Sequence, residues 1–73
     1  MTPTIGCIVR YRAHGSPNGQ HEPEQRAAII AKVHDERTVD LMVVNPTGLF
    51  FNQSCKYDES GLTPGSWFWP PHL

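Results

Sequence analysis

Histidine and cysteine are the residues best suited to metal or nucleophilic chemistry, and this sequence has few of either. Four histidines stand at positions 14, 21, 34 and 72, and the two cysteines are Cys7 and Cys55. A zinc site typically places its ligands in close pairs, as in CxxC or HExxH, and neither motif occurs. Cys7 alternates with Ile5 and Val9, which predicts a buried, inert thiol rather than an activated nucleophile. The sequence therefore predicts neither a metal site nor a catalytic cysteine.

Carboxylates and glycines also lack a catalytic pattern. The seven acidic residues fall in polar stretches, where solvation accounts for them. General acid–base chemistry would need two of them in one apolar cleft. No glycine-rich loop runs into the GK[ST] of a phosphate-binding motif. We therefore expect a binding protein that is not an enzyme and that carries no cofactor.

The segment Pro64–Pro71, P-G-S-W-F-W-P-P, points to binding. On a strand Trp67 and Trp69 share one face and Phe68 takes the other, so we expect one of these faces to be core and the other to be exposed. Two interpretations remain open: the tryptophans fill the core and an oligomer seam, or they form a platform for a flat ligand. The second interpretation combines aromatic rings with cations for phosphate groups and an amide for polar edges. Its predicted ligand-binding residues are Tyr11, Arg10, Arg12, Asn18, Lys56, Trp67 and Trp69.

Length and charge limit the class of protein. The 73 residues predict one domain, residues 1–73, whose thin core makes a homo-oligomer the expected source of further buried surface. A net charge of -1 argues against DNA binding. No apolar run approaches the roughly 20 residues of a membrane helix, so no membrane association is expected. The start of the chain lacks the pattern of a signal peptide, which predicts a reducing cytoplasm and free thiols.

Hydrophobic alternation predicts an all-β protein of five strands. The period of two covers residues 4–12, 38–45 and 49–57, and a short aromatic strand covers 66–69. Residues 26–34 could open as a helix after Pro23, but their alternation and β-branched side chains favour a strand. Residues 13–25 are predicted to form a long loop. This order is typical of a small five-stranded antiparallel SH3-like barrel with a long first loop.

Both ends of the chain resemble small uncharacterised proteins that are encoded by tailed bacteriophages and prophages. Met1 to Tyr11 is similar to their M-x-P-x-x-G-x-I-V-x-Y start, and Pro64 to Pro70 is similar to their P-G-[ST]-W-x-W-P end. The resemblance carries no activity and assigns no residue. It implies a phage protein of the bacterial host cytoplasm, where proteins of this size often counter host antiviral defence.

Two kinds of function fit this context. The leading hypothesis is a homo-oligomer that sequesters a nucleotide second messenger, in a pocket at the subunit boundary or under the 13–25 loop. The alternative is a protein-interaction module that inhibits a host protein through the same aromatic surface, or a virion accessory protein.

Overall fold

Five antiparallel strands form one sheet in the computed structural model, which describes residues 2–14 and 24–71. The strands are β1 (Ile8–Arg12), β2 (Gln25–Val33), β3 (Thr38–Asn45), β4 (Gly48–Lys56) and β5 (Trp67–Phe68), in the spatial order β4-β3-β2-β1-β5. The predicted all-β class and the strand interpretation of residues 26–34 are both confirmed. Within the described ranges no helix is long and apolar enough to cross a membrane. Asn18 and most of the predicted 13–25 loop lie outside the described residues.

The sheet curls into a half-barrel around the core. Tyr57, directly after β4, forms a parallel bridge with Trp67 of β5, so the two edge strands meet at one end. The alternating inward residues of the strands are buried inside the curl, as the period of two predicts. These core residues are Val9, Tyr11, Ala28, Ile30, Val39, Leu41, Val43, Cys55 and Trp67.

Two β-bulges lie at the same level of the sheet, one on each side of β3. Leu41 pairs with Ile30 of β2 and with Asn52 of β4. The next pairs are Asp40 with Lys32 and Val39 with Cys55, so one extra residue is inserted in each neighbouring strand. Each bulge inserts one extra residue opposite β3, and bulges bend a strand and increase its right-handed twist. Two of them at one level therefore favour the curl that brings the end of β4 towards β5.

Asp40 stabilises the bulge in β4. Ser54 has the left-handed φ of 54°, and its N–H, which a ladder would normally pair, donates to Asp40 Oδ1 at 2.8 Å. His34 Nε2 lies 2.8 Å from the same oxygen. The hydrogen bond from Ser54, followed by the contact with His34, lowers the pKa of Asp40. Asp40 is therefore ionised at neutral pH, as an acceptor of these hydrogen bonds should be.

The bulge also reverses the faces of β4. Uninterrupted alternation predicts that residues 49, 51, 53, 55 and 57 share one face, and this is wrong. Cys55 faces the core beside Val39, but the residues opposite the core-facing Leu41 and Val43 are Asn52 and Phe50. Leu49 and Phe51 consequently lie on the outer face of the sheet and are exposed.

Trp67 and Phe68 are both buried, although they face opposite sides of β5. Trp67 is 1% exposed and Phe68 is 8% exposed, so the expectation that one face would be exposed is wrong. The loop that follows Tyr57 covers the outer face, where a Cβ added at Gly61 would lie 3.1 Å from the Phe68 ring. Asp58 holds this loop by accepting hydrogen bonds from the N–H groups of Ser60 and Thr63.

Candidate ligand pocket

A cavity of about 310 Å³ lies beside the aromatic C-terminal segment. Three separate parts of the chain line it: the residues before β1, the turn between β2 and β3, and the region where β4 and β5 meet. The lining residues are Thr2, Pro3, Glu36, Arg37, Tyr57, Trp67 and Trp69. We refer to this cavity as the aromatic pocket.

Trp67 is the fixed wall of the aromatic pocket. Its ring centroid lies 5.0 Å from that of Tyr57 and 5.3 Å from that of Trp69, the latter in an edge-to-face arrangement at 80°. Its indole N–H donates to the carbonyl of Arg37 at 3.1 Å. Because Trp67 is almost wholly buried, the half-buried rings of Tyr57 and Trp69 supply the aromatic surface that a ligand can reach.

Arg37 brings positive charge to the same pocket. Its guanidinium carbon lies 5.2 Å from the centroid of the Tyr57 ring, within the range of a cation–π contact. Its carbonyl accepts hydrogen bonds from the Tyr57 N–H at 2.8 Å and from the Trp67 indole. The backbone of Arg37 is thus tied to both aromatic residues, while its side chain remains exposed.

The turn that carries Arg37 is held by Asp35. Asp35 Oδ1 accepts hydrogen bonds from the N–H groups of Arg37 and Thr38, both at 2.8 Å. These bonds, led by the one from Arg37, lower the pKa of Asp35. An ionised carboxylate that caps two backbone donors fixes a short connection, so Arg37 is presented from an ordered turn.

Lys56 lies in a neighbouring cavity rather than in the aromatic pocket. This second cavity, of about 470 Å³, shares Glu36 and Arg37 with the first and is completed by Asp35, Thr38 and Lys56. The Lys56 ammonium donates to Thr38 Oγ1 at 2.9 Å. A ligand that extended past Arg37 would meet this second cation.

The other sequence-predicted residues do not converge on the aromatic pocket. Tyr11 lies in the core, where burial raises the pKa of its hydroxyl. Arg10 and Arg12 alternate with the core residues of β1 and so lie on the outer face of the sheet. Arg10 donates to Gln25 Oε1 at 3.0 Å, and Arg12 donates to the Gly61 carbonyl at 2.6 Å. Of the predicted set, only Trp67 and Trp69 line the pocket, and Asn18 lies outside the described residues.

Sequence reasoning missed Tyr57 and Arg37 as pocket residues. Tyr57 ends the alternating pattern of residues 49–57, and Arg37 lies in the short polar run between residues 26–34 and 38–45, so neither stands out by type or spacing. The register of the β3–β4 hairpin is the information that would predict their contact. Thr38 pairs with Lys56, so the adjacent residues Arg37 and Tyr57 come together. That register includes the bulge, which the sequence does not reveal.

The thiols occupy two different environments. Cys55 is buried, and burial raises the pKa of its thiol to about 11. The prediction of a buried, inert thiol at Cys7 is wrong, because Cys7 precedes β1 and is half-buried. Its contact with Thr4 Oγ1 at 3.0 Å lowers the pKa of its thiol. No group of three or more His, Cys, Asp and Glu residues is placed to hold a metal ion in the described part of the chain.

Comparison with known proteins gives no matching family model, no similar curated protein and no similar solved structure.

Proposed function

We propose that this protein is a non-enzymatic binding protein that sequesters a nucleotide in the aromatic pocket. The observation that carries the proposal is the position of Arg37 over the Tyr57 ring, beside Trp69. The Arg37 guanidinium covers one face of the Tyr57 ring, so the half-buried Trp69 is the ring on which a nucleobase stacks. The guanidinium itself is the side chain best suited to bind a phosphate. Base and phosphate thus each have a complementary group on one side of the molecule.

The dimensions of the pocket support a ligand of this class. Its volume of about 310 Å³ is at the lower end of small-molecule sites, which span roughly 300–1,000 Å³. It accepts one base with part of its sugar. The adjoining cavity with Lys56 gives a second phosphate or sugar a place to extend. A dinucleotide or an ADP-ribose derivative has this combination of one stacked base and several negative charges.

The resemblance of the two chain ends to phage proteins supports a biological role for such binding. A phage protein that holds a signalling nucleotide in the host cytoplasm withdraws it from the antiviral effector that the nucleotide activates. Sequestration needs affinity and no turnover. A homo-oligomer would carry several such pockets in one particle.

Calorimetry against a panel of cyclic di- and trinucleotides and ADP-ribose derivatives tests the proposal. We expect at least one ligand to bind and to be recovered intact by chromatography. Arg37→Ala should weaken that binding about 10-fold or more, as the loss of a charge-assisted hydrogen bond does. Arg10→Ala is the matched control, because it removes the same charge from the outer face. A flat response to the whole panel, equal losses in the two variants, or turnover of the ligand would contradict the proposal.

A further inference from the structure

The first half of β4 is an open sheet edge. Gly48–Asn52 pair with β3 on one side, and the second bridge of β4 in the described residues is at Tyr57. Successive residues of an antiparallel ladder direct their N–H and C=O groups alternately towards and away from the neighbouring strand. The ladder between β3 and β4 starts at a two-residue turn, which makes Asn45 and Gly48 a hydrogen-bonded pair. The backbone N–H and C=O groups of Leu49 and Phe51 therefore point away from β3. An edge of this kind is a template for another strand.

The side chains on this edge are apolar and uncharged. Leu49, Phe50 and Phe51 are 54%, 52% and 73% exposed. No charged residue occurs from Leu41 through Cys55. Proteins usually protect an open edge with lysine, proline, inward-pointing charge or a β-bulge. The stretch from Gly48 to Asn52 has none of these, and the bulge of β4 lies beyond it.

We infer that β4 pairs antiparallel with β4 of a second copy of this chain, around a two-fold axis at Phe50. In this register Leu49 of each copy lies opposite Phe51 of the other, and the two Phe50 rings meet on the inner face. Shifting the axis to Leu49 would place Phe51 opposite Thr47, and shifting it to Phe51 would place Leu49 opposite Gln53. The register at Phe50 is therefore the one that matches every apolar residue of the edge with another.

The backbone supports the same register. Leu49 and Phe51 carry the outward-facing N–H and C=O groups, and a two-fold axis at Phe50 makes each Leu49–Phe51 pair a hydrogen-bonded pair. The absence of charge favours a copy of the same chain as the partner, because two identical edges then approach without like-charge repulsion. The two phenyl rings of both copies remove up to roughly 500 Å² from water. Leu49 and the strand backbone add to this area, towards the roughly 1,200 Å² of a specific interface.

Sedimentation equilibrium of the full chain tests the inference, which does not depend on the proposed ligand. We expect a dimer for the native sequence, and Phe51→Lys should weaken it at least ~10-fold, because a ring is lost and a charge enters the pairing strand. Ile8→Lys is the matched control, since Ile8 is an exposed apolar residue of the same face on β1. A monomeric native protein at 100 μM, or equal dissociation of both variants, would overturn the inference.

A cross-linking experiment tests the register with two variants, each of which replaces one apolar residue of the edge with cysteine. In a Cys7→Ser background, Phe50→Cys places two thiols on the two-fold axis in a non-hydrogen-bonded pair, with Cα atoms about 4.5 Å apart, within disulfide range. Leu49→Cys places each thiol opposite Phe51 instead. We expect mild oxidation to give a covalent dimer with the Phe50→Cys variant alone. Cross-linking of both variants to the same extent, or of neither, would refute this register. Ligand binding measured on the same samples separates this result from the fate of the proposed function.

Discussion

Replacing Trp67 with phenylalanine tests whether the C-terminal segment holds the half-barrel closed. Trp67 pairs with Tyr11 in the ladder between β1 and β5 and forms the bridge to Tyr57 that joins the two sheet edges. The substitution keeps an aromatic ring in the core. It removes two ring carbons and the indole N–H that donates to the Arg37 carbonyl.

The expected cost follows from what is lost and what remains satisfied. Two buried ring carbons contribute about 0.8 kcal/mol each, and a net hydrogen bond contributes about 1 kcal/mol. The Arg37 carbonyl still accepts the Tyr57 N–H, so no buried acceptor is left without a partner. The total is about 2.5 kcal/mol, out of the roughly 4–11 kcal/mol expected for a domain of this size. At about 4–8 °C per kcal/mol, Trp67→Phe should lower Tm by roughly 10–20 °C.

Thermal and urea unfolding followed by circular dichroism measure this loss. Trp69→Phe is the control, because Trp69 is half-buried and no hydrogen bond holds its indole in the described structure. We expect it to cost less than about 1 kcal/mol. If Trp67→Phe melted within 3 °C of the native protein, or if the control lost as much stability, the contacts of Trp67 would not be what holds the two edge strands together.

Two further predictions concern titratable groups. Hydrogen bonds led by those from Thr63 hold the pKa of Asp58 at about 2, below its usual 3.8. The ionised carboxylate therefore stabilises the fold fully above about pH 5, and this stabilisation is lost progressively as the pH falls from there through the folded-state pKa of about 2. Unfolding measured from pH 5 to pH 2 should therefore show a shallower acid decline in Asp58→Asn than in the native protein, and parallel curves would contradict this. Alkylation at pH 7.5 should modify Cys7 well before Cys55, whose thiol has a pKa of about 11. Thr4→Val should slow the reaction at Cys7, and peptide mapping that found Cys55 modified first would refute the assignment of their environments.

Strand positions were predictable from the sequence because the hydrophobic period is local information. β3 occupies residues 38–45 as predicted, and β2, β4 and β5 differ from their predicted bounds by one residue at each end. The predicted start of the first strand at residue 4 is wrong: β1 begins at Ile8, because a turn closed by the hydrogen bond from the Cys7 N–H to the Thr4 carbonyl, with Gly6 at a φ of 93°, precedes it. The bulges were not predictable, because nothing about the residue types Ala31 and Ser54 distinguishes a bulge from a regular strand. A single inserted residue exchanges the two faces of everything beyond it. The faces of β4 were therefore predicted wrongly even though its span was right.

The candidate pocket was predictable only in part, because its lining residues come from three separate parts of the chain. Trp67 and Trp69 stand out by their type and spacing, and the structure places both at one cavity. Arg10 and Arg12 are cations of the predicted site, but the alternation of β1 places them on the outer face, away from the tryptophans. Arg37 reaches the pocket through a tertiary contact between a turn and the end of β4, and such contacts depend on register rather than on local sequence.

The pairing of β1 with β5 sets the order in which the molecule can fold. The β3–β4 hairpin closes through a two-residue turn, whereas Tyr11 and Trp67 are separated by most of the chain. Contacts of high sequence separation carry a large loop-closure entropy and form slowly. Trp67, the largest fully buried side chain of the core, thus reaches its place only when β5 pairs with β1, the strand pair most widely separated along the chain. Stopped-flow tryptophan fluorescence should follow this closure and lag the far-ultraviolet circular dichroism signal of the hairpin, so that the sheet is assembled before its core is filled.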